Sequence, residues 1–172
     1  MKDNFSIRTS INPQLMKSTL LKGFIIALLG ILLLFFGGIF LPVNILKLWG
    51  PLIFIGGMAF VIMGLLPYRK LTQLELKPMT LTAEAGGEWV LIHGAKKLLS
   101  ISDKSISKIE YVNDQKNYGL GIWLNKPIEE KIIIYDPAYK VFRGFGADLF
   151  LPYFSKRSVK ELHAWMQEVD EE

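Results

Sequence analysis

The sequence predicts a membrane α-helical hairpin followed by a small domain of α+β to all-β class, an antiparallel β-barrel of about seven strands capped by a C-terminal helix. Three observations carry this. Residues 23–41 and 48–66 are two apolar runs without Asp, Glu, Lys, Arg, His, Asn or Gln. After Pro67 the chain changes to short alternating apolar segments punctuated by Gly, Pro and Asn, the pattern of half-buried strands joined by turns. From Ser158 onward, apolar residues recur at helical spacing.

Each apolar run holds 19 residues. At ~1.5 Å rise per residue, a helix of that length covers roughly 28 Å, close to the hydrocarbon thickness of a bilayer. Backbone polar groups in lipid have to be satisfied internally, so two helices are the expected solution. Residues 1–22 then read as an N-terminal tail, with 13–22 suited to an interfacial segment. Residues 23–66 read as the hairpin, and 68–172 as one soluble domain. A cleaved signal peptide is disfavoured: the first run is long, no small-x-small site follows it, and a second run comes at once.

The 172 residues carry a formal net charge of +4. That excess sits around the hairpin, where Lys2, Arg8, Lys17, Lys22 and Lys47 face only Asp3; the rest of the chain is balanced. A neutral soluble domain argues against a nucleic-acid footprint. The charges speak to topology instead. Lys17 and Lys22 precede the first run, Arg69, Lys70 and Lys77 follow the second, and the connection holds only Lys47. Positive residues favour the cytoplasmic side, so both termini are expected there, in an inner or plasma membrane.

Glycine recurs every seven residues in both runs, as Gly23, Gly30 and Gly37, then Gly50, Gly57 and Gly64. Seven residues are nearly two helical turns, so each set forms a stripe without side chains. Small residues let membrane helices approach closely, and these six are the expected helix–helix packing positions, with Gly30 and Gly57 at similar depth.

The soluble domain follows strand by strand. Residues 71–83 read as strand-like, with clean alternation over Met79–Glu84 and a turn at Gly86-Gly87. Trp89–Ile92, Lys96–Ile101 and Ile106–Val112 come next, the last ending in a polar loop at Asn113–Asn117. Tyr118–Leu124 places two glycines on one face, leaving room for another element. After a turn at Asn125-Lys126-Pro127, Lys131–Tyr135 is the most β-branched strand. Tyr139–Arg143 and Asp148–Phe154 are shorter strands around Gly144-Phe145-Gly146. In the final helix, Ser158 and Glu161 match a capping box.

Strand segments Leu99-Ser100-Ile101-Ser102 through Ile106-Ser107-Lys108-Ile109-Glu110-Tyr111 resemble the strand–turn–strand signature of bacterial pleckstrin-homology-like domains, which are often tethered to membrane helices. Tyr118–Leu124 is similar to their next strand, and Leu151-Pro152-Tyr153-Phe154 through Leu162 and Trp165 to the start of their capping helix. The resemblance spans residues 71–169 and implies a scaffold for protein or headgroup contact without a catalytic centre. The phosphoinositide-binding members of the wider superfamily cluster Lys and Arg between their first two strands; this chain offers Lys77 alone there.

Chemistry-bearing motifs are sparse. The chain has no cysteine and two histidines, His93 and His163, without metal-ligand spacing. Gly144–Ala147 lacks the following helix that a phosphate loop needs and reads as a turn. Glu129-Glu130 reads as a solvated pair. No catalytic residue, metal or cofactor is expected. The expected function is a non-catalytic, membrane-anchored interaction or assembly module, an accessory subunit of a larger membrane complex, with the bilayer and other membrane proteins as partners. Trp123 and Phe145 are candidate partner contacts, as are the exposed edge strand and the groove beside the C-terminal helix. A lipid-headgroup reader using Lys96, Lys97, Lys104 and Lys108, with Arg69 and Lys70, is the alternative; a solvated, lysine-protected strand edge explains the same residues. A small membrane enzyme is a third reading.

Overall fold

The computed structural model describes residues 4–83, 87–114, 117–125 and 132–170. The expected turns at Gly86 and Lys126-Pro127, the Glu129-Glu130 pair and the acidic end at Glu171-Glu172 lie outside these residues. The chain divides into two compact units: residues 12–73, which are helical, and residues 1–11 with 74–172, which carry the sheets.

The helical unit comprises α1 (Pro13–Phe40) and most of α2 (Val43–Leu76). Both are long and apolar enough to cross a membrane, and only 22% and 11% of their most apolar windows are buried within the structure. Each overruns the apolar run that predicts it. Asn12, read as part of a turn, is the N-cap of α1: its Oδ1 accepts from the Gln14 amide at 2.9 Å, with Pro13 opening the helix. The break between the helices narrows to Leu41-Pro42, since Ile45 and Leu46 already donate to the Pro42 carbonyl. Pro51 and Pro67 both sit inside α2. Residues 71–76, read as strand-like, therefore belong to a helix that passes through Pro67 without ending there. Each proline removes one backbone donor, a loss that a long helix tolerates where neighbouring groups compensate.

The two glycine stripes meet at two levels. A Cβ on Gly30 would lie 2.6 Å from the Gly57 carbonyl oxygen, and one on Gly23 would overlap the Gly64 carbonyl. A Cβ on Gly37 would lie 2.8 Å from the Ile53 side chain, whereas one on Gly50 would meet only Leu46 of its own helix. A seven-residue repeat drifts by ~20° per heptad on a straight helix, which carries the third pair out of register.

The sheet unit contains β1 (Phe5–Arg8), β2 (Met79–Ala83), β3 (Glu88–His93), β4 (Lys96–Ser102), β5 (Ile106–Asp114), β6 (Asn117–Leu124), β7 (Ile132–Ile134), β8 (Leu149–Pro152) and α3 (Lys156–Asp170). Pairing is antiparallel throughout, in a five-stranded sheet of order β1-β2-β3-β4-β7 and a three-stranded sheet β5-β6-β8. The expectation of a closed barrel is thus replaced by two sheets, joined in the described residues by the isolated bridge Thr9–Phe154. A 3₁₀ turn at Asp103–Ser105 carries the chain from one sheet to the other.

Three further expectations are corrected. Residues 5–8, read as a polar tail, form β1: Ile7 is buried, and Phe5 stacks on Trp165 of α3 with ring centroids 5.6 Å apart. Residues 139–143 are not a strand, because the Phe142 carbonyl accepts one bond from Phe150 and no ladder follows. Finally, α3 begins earlier than the capping box at Ser158. Ser155 is the capping residue; its Oγ accepts from the Ser158 amide at 3.1 Å, and Glu161 instead pairs with Arg157 at 2.8 Å.

Between the sheets and α3 lies the core, built on Trp89, Leu99, Ile101, Leu120, Ile122 and Leu162, all fully buried. The Trp89 indole N–H donates to Asp103 at 2.9 Å, satisfying its one polar atom.

Candidate interaction groove between β5 and α3

Among the described residues, strand β5 has β6 on one side and no strand on the other. Its free edge runs beside α3, with a cavity of about 260 Å³ between them. The floor is apolar. Ile109 and Val159 are each 4% exposed, and Tyr111 is half-buried on the same face of β5 as Ile109. The rim is polar, with Lys156, Lys160 and His163 exposed on α3 and Lys108 and Glu110 on β5.

Alternation explains the split on β5. Ile109 and Tyr111 face the core, while Lys108 and Glu110 share the outer face, where their ion pair closes at 2.6 Å. The Lys108 ammonium also stands 5.4 Å from the centre of the Trp123 ring. On α3, Val159 and Leu162 point inward because positions three or four apart share a helical face; Lys156, Lys160 and His163 follow each other at the same spacing on the adjoining face. With Lys108 compensated by Glu110, the rim carries the positive charge of Lys156 and Lys160.

Such a place can accept an extended segment. An edge strand offers main-chain donors and acceptors, and a flanking helix supplies side-chain pockets, the recognition mode of strand addition. Among the described residues there is no cluster of three or more His, Asp or Glu placed to hold a metal.

The other sequence-derived positions scatter. Lys96 and Lys97 are exposed at the start of β4, beside Tyr135 and Asp136, and Lys104 is exposed just beyond its end. A seven-residue strand separates them by about 20 Å, so these lysines do not converge with each other, and Lys108 is already engaged. Arg69 and Lys70 are exposed on α2. Trp123 is half-buried and lies over Gly121, whose Cβ would come 2.9 Å from both the Trp123 ring and Val112. At Gly121 the space expected for another element is filled by these side chains, whereas a Cβ on Gly119 would overlap the Leu151 carbonyl of β8, so another element does come close there. Phe145 stands at a turn and is 38% exposed. His93 is half-buried, and its Nε2 is enclosed without a hydrogen-bond partner among the described residues.

Compared with protein-family models, with curated proteins and with solved structures, the chain matches none.

The sequence marked the groove beside the helix but not its lining. Ile109 and Tyr111 show in the alternation of β5, and Lys156, Lys160 and His163 in the helical spacing of α3. Their facing one another is a product of the fold.

Proposed function

We propose that this chain is a non-catalytic interaction module held at a membrane by α1 and α2, an accessory subunit that docks a segment of another membrane protein along β5. One observation carries this reading: the free edge of β5 and the inner face of α3 enclose an apolar groove with a basic rim. The docked segment is extended, carries apolar residues toward Ile109 and Val159, and presents acidic residues to Lys156 and Lys160. Tethering raises the effective concentration of the module for partners in the same bilayer, so a short segment suffices.

A pleckstrin-homology-like fold is part of the proposal. Consecutive antiparallel strands in two sheets with one C-terminal helix against them support it. So is the topology, with two spans and both termini cytoplasmic, which the flanking positive residues support.

Site-specific photocrosslinking of the full chain in its own membranes tests the function. A photoreactive residue at Lys160 or Tyr111 is expected to capture one membrane protein that the same group at Lys104 does not. Equal capture at all three positions, or capture at Lys104 alone, overturns the proposal.

A further inference from the structure

Outside its helices, and among the described residues, the protein leaves five large apolar side chains exposed: Ile133, Ile134, Tyr135, Phe142 and Phe145. Phe142 precedes a tight turn and Phe145 stands inside it. The Ala147 amide donates to the Gly144 carbonyl at 3.1 Å, and Phe145 and Gly146 have φ of 60° and 76°. Two successive positive φ angles at the central positions are the signature of a type I′ turn, where Gly, Asn and Asp are favoured. Phenylalanine at the first of them is strained, and strain of this kind persists where the surroundings impose it.

The surroundings are aromatic. Phe142 and Phe145 both pack on Phe150, with ring centroids 5.6 and 5.0 Å from it. Phe150 is 2% exposed, whereas Phe142 and Phe145 remain 52% and 38% exposed. The two rings are thus held outward on a fixed base. Lys140 and Arg143 alternate with them; both are exposed, and neither makes an ion pair among the described residues.

We propose that this turn is a lipid contact: Phe142 and Phe145 enter the interfacial layer of an anionic bilayer while Lys140 and Arg143 meet headgroup phosphates. Large rings beside unpaired cations complement a surface that is apolar below and negative above. Connectivity favours lipid as the occupant. Only two residues, Lys77 and Pro78, separate α2 from β2, so the sheet unit stays near whatever membrane α2 enters. The proposal rests on the membrane reading of α1 and α2 but not on the β5–α3 groove.

The chain has no cysteine, so Phe145→Cys introduces a unique site for a nitroxide. The full chain is reconstituted in phosphatidylcholine vesicles with or without phosphatidylglycerol, and the label's accessibility to oxygen and to a water-soluble nickel complex is measured. Flotation with neutral vesicles reports on the helices alone and keeps the two readings apart. With phosphatidylglycerol the label at 145 is expected to favour oxygen severalfold over a label placed by Lys160→Cys, and Lys140→Gln with Arg143→Gln is expected to erase the difference. A label at Phe142→Cys, with Phe145 intact, repeats the measurement should the first variant fold poorly. Phe145→Asn suits the turn, so it is expected to keep the thermal midpoint while returning the label at 142 to water-like values. Nickel accessibility at 145 and 142 equal to that at 160 overturns the proposal. So does dipolar broadening that disappears on dilution with unlabelled chain, which assigns the turn to a second copy.

Discussion

Thr9 and Met79, seventy residues apart, exchange two hydrogen bonds: the Thr9 amide donates to the Met79 carbonyl, and the Met79 amide donates to Thr9 Oγ1, each at 2.9 Å. Both side chains are buried. The chain leaves the sheet unit for α1 just after Thr9 and returns from α2 just before Met79. The helical pair is therefore an insertion between two paired strands of one domain rather than an appendage at its end.

A fragment of residues 68–172 consequently lacks β1, which fills the outer place beside β2 and stacks Phe5 on Trp165. It is expected to melt without cooperativity by circular dichroism, whereas a chain joining Ile11 to Leu74 through a short Gly/Ser linker melts as one unit. In the full chain, Thr9→Val leaves the buried Met79 amide without its acceptor, a cost of about 1–3 kcal/mol.

The two glycine contacts give a discriminating pair of substitutions. Gly30→Leu drives side-chain atoms into the Gly57 backbone and is expected to lower the thermal midpoint of the helical pair in detergent and to increase its proteolysis. A Cβ on Gly38 would meet nothing within 4 Å, and Gly38→Leu is expected to leave both unchanged. Equal effects would mean that the helices do not approach through this stripe.

The Trp89 indole is wholly buried, and Asp103 accepts its only polar hydrogen. Asp103→Ala is expected to cost about 1–3 kcal/mol in denaturant unfolding of the sheet unit. Asp103→Asn, which keeps an acceptor, loses less.

Burial pushes the Tyr139 hydroxyl up to about 12 from its ordinary 10.0, and raises Tyr153 in the same direction. The folded state holds these protons more tightly than the unfolded chain. For Tyr139 the contribution is complete below pH ~10 and is lost as the pH rises toward ~12. The fall in stability over that window is expected to be shallower in Tyr139→Phe, as read by denaturant titration at each pH.

Much of the strand pattern was legible because a strand writes its alternation into a few neighbouring residues. Trp89–Ile92, Lys96–Ile101 and Tyr118–Leu124 all lie within observed strands. Elsewhere the deciding contact is distant or the local cue is shared by two residues. Phe5–Arg8 is too short and polar to announce a strand, and becomes one through its register with residues 80–83. Pro67 reads as a helix stop, yet α2 continues to Leu76. Ser155 and Ser158 are both competent caps, and the packing of Phe154 and Val159 into the core sets the helix start at the first.

By itself the sequence determined two apolar helices of bilayer length, a charge-balanced module of short strands, and an amphipathic final helix, because hydropathy and periodicity are properties of contiguous residues. Tertiary structure alone decided that β1 belongs to the module, that Gly50 drops out of the glycine contact, that Lys96 and Lys97 stay apart from Lys104, and that β5 and α3 enclose a groove. Those outcomes depend on which surfaces meet after the chain has closed on itself, and spacing along a sequence does not specify that.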